Sequence, residues 1–499
     1  MVTRISGLAS GMDIDAMVKK LMQAERKPLD KLNQQKQLLE WKRESYRETS
    51  TKLVSFLQEK LSKLSLSSSI SAQKANVSGN LDILSAVASS TASGTMEITV
   101  KDLATSSRAV TALNVDANGD SISFNVASST LLSNLNPKIL PGEVQVGEAM
   151  ITVTAEDTIE SFVKKINSSK EAGVTAIYDN SSGLSLTSKA TGSAAIKLDA
   201  NVASAFQLHS KAGTDAALTV NGLAITKSSN SFELNGVNIT LKSKTPIGAI
   251  TRIEVSKDTD KIVENVQSFV DAYNDVLALL NSKVGEERFR KYHPLSTEER
   301  AAMSDEEAKL WTSKAKSGML KSDGILQDTI TQMRTALMQG VDIGRDDGKP
   351  LILTELGITT GTYDTKGKLI LDQDKLKKAL EADPEIVSNF FVKKDPATAL
   401  KSEYTQLDGV YTKLTKITNL SLQRMAETAG TSKVSSDLSS TFLNTSSMGE
   451  QLTSLDRRIS DMTSRLNRIE TNYFKKFSAM ETAINRYNST SSSLAGFMA

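Results

Sequence analysis

The hydrophobic positions of this chain keep one rhythm at both ends and another in the middle. Near the N-terminus Ile14, Met17, Val18, Leu21 and Met22 fall on one face of a 3.6-residue helix. Asp13 stands where a capping side chain can accept from an orphan backbone N–H. Pro28 removes one ladder donor and clashes with the preceding turn, which predicts a kink or break there. A second helical run follows through Leu29, Leu32, Leu39, Trp41, Tyr46, Leu53, Phe56, Leu57, Leu61 and Leu64. Lys36, Lys42, Arg43, Glu44 and Arg47 read as its solvated face.

The C-terminal pattern is more regular. Leu452, Leu455, Ile459, Met462, Leu466, Ile469 and Tyr473 alternate spacings of three and four, a heptad seam. One extra residue precedes Phe477, and the pattern resumes through Met480, Ile484 and Tyr487. Such a seam suits an intramolecular helical hairpin, contact with other subunits, or both, because one helix has several faces. The Ser-rich end, Ser489 to Ala499, reads as mobile in the free protein.

Residues 77–260 switch to period-two alternation. Met96–Val100, Ser121–Val126, Glu143–Val146, Leu184–Leu186 and Val237–Leu241 read as half-buried strands. Asn118-Gly119, Asn221-Gly222 and Asn235-Gly236 read as hairpin turns. One amphipathic helix, about Asp157 to Ser168, interrupts them, with Ile159, Phe162, Val163 and Ile166 on one face. Residues 261–430 return to helix: Ile262 to Leu280, then Leu326 to Leu337. Thr360–Thr362 and Lys368–Leu371 read as two strands around Lys366-Gly367. Asp372 is positioned to cap a helix, and Asp383-Pro384 to open the next. The predicted fold class is α+β and multidomain. Helical ends and helical flanks surround an antiparallel β middle, with the N-terminal helix set against the C-terminal one.

Composition narrows the chemistry. A chain of 499 residues suggests several domains at ~100–200 residues each. Lys+Arg is 60 against Asp+Glu 58, with no basic excess to mark a nucleic-acid binder. Cysteine is absent, which excludes disulfides, thiolate zinc sites and a cysteine nucleophile. Only two histidines exist, His209 and His293, in different regions. Gly344 to Pro350 resembles a phosphate loop, but it has one residue too few between the glycines and a proline where a hydroxyl must reach Mg²⁺. Asp116, Asn118 and Asp120 open like a calcium loop, but Ser121 replaces the glycine and Ala127 the final glutamate. The expectation is no enzyme, no cofactor and no metal. No stretch in residues 1–30 suits a signal-peptide core and no apolar run spans a membrane, so membrane insertion is not expected. A cytoplasmic protein, or one exported without a cleaved signal peptide, fits.

Several segments, in order, resemble one known family, the flagellar filament cap or hook-associated protein 2. They are Ile5 to Ile14, Met17 to Met22, Glu25 to Leu29, Ile98 to Ala104, Phe269 to Asn274, Gly367 to Asp372, and Asn472-Tyr473 with Phe477 to Glu481 and Ile484. Thr158 to Gly192 is similar to a repeat shared with flagellins.

The resemblance implies discontinuous helical coiled-coil leg domains formed by both termini, with an inserted antiparallel β head of two small domains, four domains in all. These are 1–45 plus 432–499 as a terminal coiled coil, 46–76 plus 261–431 as a helical leg, 77–110 plus 213–260 as a first β head domain, and 111–212 as a second inserted in the first. It implies a cap at the distal end of the bacterial flagellum that promotes folding and insertion of exported flagellin. It implies a ring-shaped homo-oligomer as the assembled form. Its implied partners are flagellin, hook-filament junction proteins and a flagellar export chaperone. The expected contact seam is Ile14, Val18, Leu21, Ile469, Met480 and Ile484. A tip-located adhesin or a surface-displayed hydrolase are the alternatives. Glu286 to Gly324 departs from short members of the family and has no implied use.

Overall fold

The structure, a computed structural model, describes residues 13–112, 124–398, 401 and 403–498. The chain divides into two compact units: Met1–Ile70 with Thr259–Ala499, and Ser71–Asp258.

The Ser71–Asp258 unit is antiparallel β with two hydrophobic cores. In the first, a five-stranded sheet orders the strands Gln73–Gly79, Thr251–Lys257, Thr95–Asp102, Ala216–Val220 and Leu223–Lys227. A three-stranded sheet of Ser231–Leu234, Val237–Leu241 and Leu84–Ala88 completes it. Alternate residues such as Met96, Ile98 and Val100 point inward against Leu218, Val237, Ile239 and Ile253. Asn221-Gly222 and Asn235-Gly236 sit at positive φ, 49° and 84°, then 49° and 75°, the geometry a two-residue hairpin demands.

The chain leaves this core after Asp102 and returns at Ala216. In between, Val174–Asp179, Gly183–Thr191, Ser106–Thr111 and Leu208–Lys211 form a four-stranded sheet, and Gly142–Val146 pairs with Ala149–Val153. The helix Ile159–Ser168 buries Ile159, Phe162 and Ile166 against them, and the Phe162 and Phe206 rings stack at 6.4 Å. Thr158 caps this helix in a reciprocal box with Ser161, so it starts after Asp157, which instead accepts from Thr154, Ser161 and Lys165.

Of the expected strand Ser121–Val126, residues 121–123 lie outside the described residues, as do Asn118-Gly119 and the calcium-like Asp116 to Asp120. Phe124 to Val126 is not a strand. Asn125 turns to φ 52°, and Phe124 and Val126 donate to the turn carbonyls of Ser181 and Asn180.

The opening strand of this unit pairs with its closing strand, Gln73 with Lys257 through Gly79 with Thr251. A unit whose ends are zipped together and whose cores are its own is expected to fold alone. Residues 71–258 expressed by themselves should give a β-type circular-dichroism spectrum and a cooperative melt. A spectrum without β signal would overturn that.

The other unit is helical. The N-terminal helix runs Ile14–Ser55 and continues through a π turn, Phe56–Leu61. It passes Pro28 without a break. The missing ladder bond costs about 3 kcal/mol, and apolar residues on both sides of the proline, Met22 and Leu29, pack into the same cluster. Thr259–Gly285, Gly324–Met338 and Val410–Ala429 supply further helices. Phe269, Phe391 and Tyr411 meet edge-on or tilted at 5.1–5.3 Å in the core.

The small hairpin Ile358–Thr360 with Leu369–Leu371 turns at Lys366-Gly367, both at positive φ. Asn274 holds it to the long helix by a reciprocal pair, its amide donating to the Leu369 carbonyl at 2.9 Å and accepting from Leu369 N–H at 2.8 Å. Asp372 caps the next helix as expected. The helix after Pro384 starts at Ile386 with Glu385 as its cap residue, because the Asp383 carboxylate accepts from Glu385 N–H instead of capping the helix itself. The Ser-rich end, expected to be mobile, forms the last turns of the C-terminal helix Ser447–Met498.

Candidate functional site: the terminal helix pair

The first and last helices of the chain pack antiparallel. Lys36 Nζ meets Asp456 at 2.7 Å, while Tyr473 donates to Glu25 Oε1 at 3.3 Å, so early residues of one helix lie beside late residues of the other. Asp13 caps the start, accepting from Ala16 N–H at 2.9 Å. Ile14, Val18, Met22 and Leu466 are buried between the helices. Met17, Leu29, Met462, Ile469, Tyr473, Phe474 and Phe477 flank them, half-buried. Burial and the Glu25 carboxylate raise the Tyr473 phenol above its ordinary value.

The expected seam residues fall into two groups. Ile14 and Val18 lie inside the chain's own pair, and Ile469 lies half-buried against it. Leu21 is 41% exposed, Met480 40% and Tyr487 76%. Ile484 is half-buried. On the C-terminal helix the change follows the heptad phase, while Leu21 lies on the N-terminal helix at the flank of its stripe. Residues before the extra position at Phe477 keep the inward stripe, and the stripe rotates after it.

Two features of the helical unit escape a reading by periodicity. Arg43, placed on the solvated face by its charge, is 7% exposed. Its guanidinium donates to the Ala429 carbonyl at 2.6 Å and the Leu443 carbonyl at 2.8 Å, and lies 4.2 Å from the Phe442 ring centroid. Arg47 stacks on the same ring at 4.5 Å. A planar, weakly hydrated cation suits this role, because it bonds carbonyls in its plane and stacks on its face. Phe442 in a Ser- and Thr-rich run was the available signal.

The second feature is a buried charge cluster. Asp408, fully buried, pairs with Lys416 at 2.9 Å and accepts from the backbone of Thr405 and Asp395. Lys413, also fully buried, donates to the Gly340 carbonyl at 2.5 Å. Burial pushes Lys413 down to about 8, against the pull of Asp408. Both lysines stand where the helical pattern of Val410, Leu414 and Ile417 calls for apolar residues, and that misfit was the sign of burial.

The other residues weighed for chemistry in the sequence take ordinary structural places. His209 is exposed on a strand, and His293 pairs with Glu299 at 3.0 Å. Gly344 to Pro350 is a surface turn, with Asp347 accepting from Lys349 N–H. Among the described residues no three or more His, Asp or Glu are grouped to hold a metal ion, and no helix is long and apolar enough to cross a membrane.

The profile of the flagellar hook-associated protein 2 C-terminus matches residues 213–489, and that of its N-terminus matches 10–107. The chain belongs to the flagellar hook-associated protein 2 family. The flagellin hook IN motif matches residues 145–190, which here are the Ala149–Val153 strand, the helix Ile159–Ser168 and the strands after it. Flagellar hook-associated protein 2 of Halalkalibacterium halodurans is 28% identical over 543 residues, spanning 99% of both chains. That of Thermotoga maritima is 31% identical over 373 residues, covering 71% of this chain and 54% of its own. The crystal structure of the flagellar cap protein FliD D1-D2-D3 domains from Escherichia coli covers 77% of this chain and 95% of its own, at 23% identity and a TM-score of 0.49. Family membership gives the function: the chain is a cap of the flagellar filament and works at its tip. None of these relatives is named as an adhesin or a hydrolase.

Proposed function

We propose that copies of this chain assemble as a ring at the distal end of the filament. Exported flagellin reaches them unfolded, folds beneath the ring, inserts, and is kept from loss. The terminal helix pairs are the flagellin-contacting legs, and the Ser71–Asp258 unit is the closing plate. The four-domain division expected above stands as part of this proposal: 1–45 plus 432–499, 46–76 plus 261–431, 77–110 plus 213–260, and 111–212, with the strands Gln73–Gly79 and Ser106–Thr111 each crossing one of its bounds. The chain does its work by contact and not as an enzyme, without a cofactor. Hook-filament junction proteins and an export chaperone are its further partners. It leaves the cell by the flagellar export route with no cleaved signal peptide.

The observation that carries this reading is the apolar surface left on the outside of the terminal pair. Leu21, Met480 and Tyr487 are exposed on helices whose inner seam is already filled. On this reading a second partner covers them. The working surface within the expected seam is therefore Leu21, Met480 and Ile484, with Ile14, Val18 and Ile469 holding the pair together. Contacts of this small, divided kind suit a cap that must release and re-form as subunits are added. A single large apolar interface would hold too tightly.

The test is a strain lacking the chain. It should export flagellin monomer into the medium and carry no filaments, and the intact chain supplied in trans should restore both. Filaments of ordinary length without the chain would defeat the proposal.

A further inference from the structure

Between the Thr259–Gly285 helix and Asp323, which caps the next helix, the chain makes an excursion that is closed at its base. Ser317 Oγ donates to the Glu287 carbonyl at 2.6 Å, and Ser322 N–H to the Val284 carbonyl at 3.0 Å. Gly318 has φ 68°, and a Cβ there would stand 2.8 Å from the Glu287 carbonyl oxygen. The two ends of the excursion touch backbone to backbone.

The excursion has a small core of its own. Trp311 Nε1 donates to the His293 carbonyl at 2.8 Å, and its ring lies 4.6 Å from that of Tyr292. Lys314 Nζ sits 4.9 Å from the Tyr292 ring centroid. Its two helices, Thr297–Ala301 and Asp305–Lys316, start in reciprocal caps, Ser296 with Glu299 and Ser304 with Glu307. This is an ordered cassette and not a slack loop.

Its remaining contacts run along the N-terminal helix. Lys316 Nζ stands 5.3 Å over the Trp41 ring. Leu38 lines one cleft of about 340 Å³ with Ala315 and Met319. Burial, then the negative charges of Glu298 and Glu299, raise the Asp30 carboxyl. Just past the cassette, the Asp323 carboxylate accepts from the Tyr46 hydroxyl. From Asp30 to Tyr46 is about 24 Å of helix at 1.5 Å per residue. The same stretch pairs with the C-terminal helix through Lys36 and Asp456.

We infer that residues 288–317 are a brace that clamps the N-terminal helix to the helical unit along this stretch. A helix pair held only at its base, by the Arg43 bonds, can swing about that point. A second line of contacts some three turns long, from Asp30 to Trp41, removes the swing. The terminal pair and the rest of the unit then move as one body.

Replacing residues 288–317 with a short Gly-Ser linker tests this, because the touching ends need not move. The excision also removes Trp311 and leaves Trp41 as the sole tryptophan of a chain that has two. Trp41 emission should shift to the red and its quenching by acrylamide should rise. Amide exchange over residues 30–46 should quicken about tenfold or more, with residues 71–258 unchanged. Trp311→Ala in the full chain keeps the closed base and loosens the cassette core. It should move exchange over 30–46 in the same direction by a smaller factor, and it carries the test should the excised chain not fold. Unchanged exchange over 30–46 in a folded variant of either kind would overturn the brace and leave the cassette an appendage.

Discussion

Cells whose only copy of the chain carries Met480→Glu with Ile484→Lys should grow no filaments and shed flagellin monomer into the medium. The free subunit should hardly notice the change. Met480 is 40% exposed and Ile484 half-buried, and substitutions at such positions typically move stability by about 0.5 kcal/mol. In the assembled cap the same positions would meet neighbouring helices. A charge in such a seam costs several kcal/mol per ion, roughly, and a contact made of small apolar patches has no surplus to absorb it. Circular dichroism of the purified double variant should match that of the parent, including the melt of the Ser71–Asp258 unit. Val18→Asp supplies the contrast. It places a carboxylate in the buried seam at 1% exposure, so it should loosen the terminal pair in the free subunit as well. Filaments of ordinary length with the double variant would remove the outer stripe from the working surface.

The fold was legible wherever one periodicity ran unbroken. The heptad from Leu452 to Tyr473 and the alternation at Met96–Val100 each allow one secondary structure, and the structure holds both. Pro28 shows the limit of local rules, since its penalty is smaller than the packing that spans it. Phe124 to Val126 shows the same limit for strands, where alternation fits but Asn125 at φ 52° turns the chain away. The seam residues were legible as apolar, but not which way they face. Leu21 and Val18 belong to one stripe by spacing, yet only Val18 meets Leu466, because the partner helix covers part of a stripe that spacing alone treats as uniform. Arg43, Lys413 and Lys416 were hidden for a different reason. Charge marks a residue as solvated unless its partners are known, and those partners lie far along the chain: Arg43 bonds to Ala429 and Leu443, Lys413 to Gly340.

The buried charges of the Val410–Ala429 helix should give the largest stability change of any single substitution outside the apolar core. Asp408→Ala takes the paired carboxylate from Lys416, 8% exposed, whose ammonium also donates to the Glu403 carbonyl, and removes the acceptor for the backbone N–H groups of Asp395 and Thr405. Breaking a buried pair on one side costs about 3–5 kcal/mol. Urea unfolding followed at the helical signal should show that loss, with the Ser71–Asp258 unit unaffected. Lys413→Met should behave in the opposite way, because it removes a buried cation whose desolvation is already unfavourable, and it should be neutral or stabilising at pH 7. Titration separates the two. The folded state holds Lys413 at about 8, below its ordinary 10.5, so between those values the unfolded chain binds more protons. Stability from this group is therefore lowest below pH 8 and rises as pH climbs from 8 toward 10. The full span is worth about 3 kcal/mol at roughly 1.4 kcal/mol per pKa unit. Tyrosine acts with the opposite sign, since burial holds Tyr273 up to about 12, but that effect enters only above pH 10. The parent should gain stability between pH 8 and pH 10 relative to Lys413→Met, whose curve lacks the rise. Parallel curves for parent and variant across that window would mean that Lys413 keeps an ordinary affinity for its proton in the folded chain, and that its ammonium is well solvated or fully paired in the core.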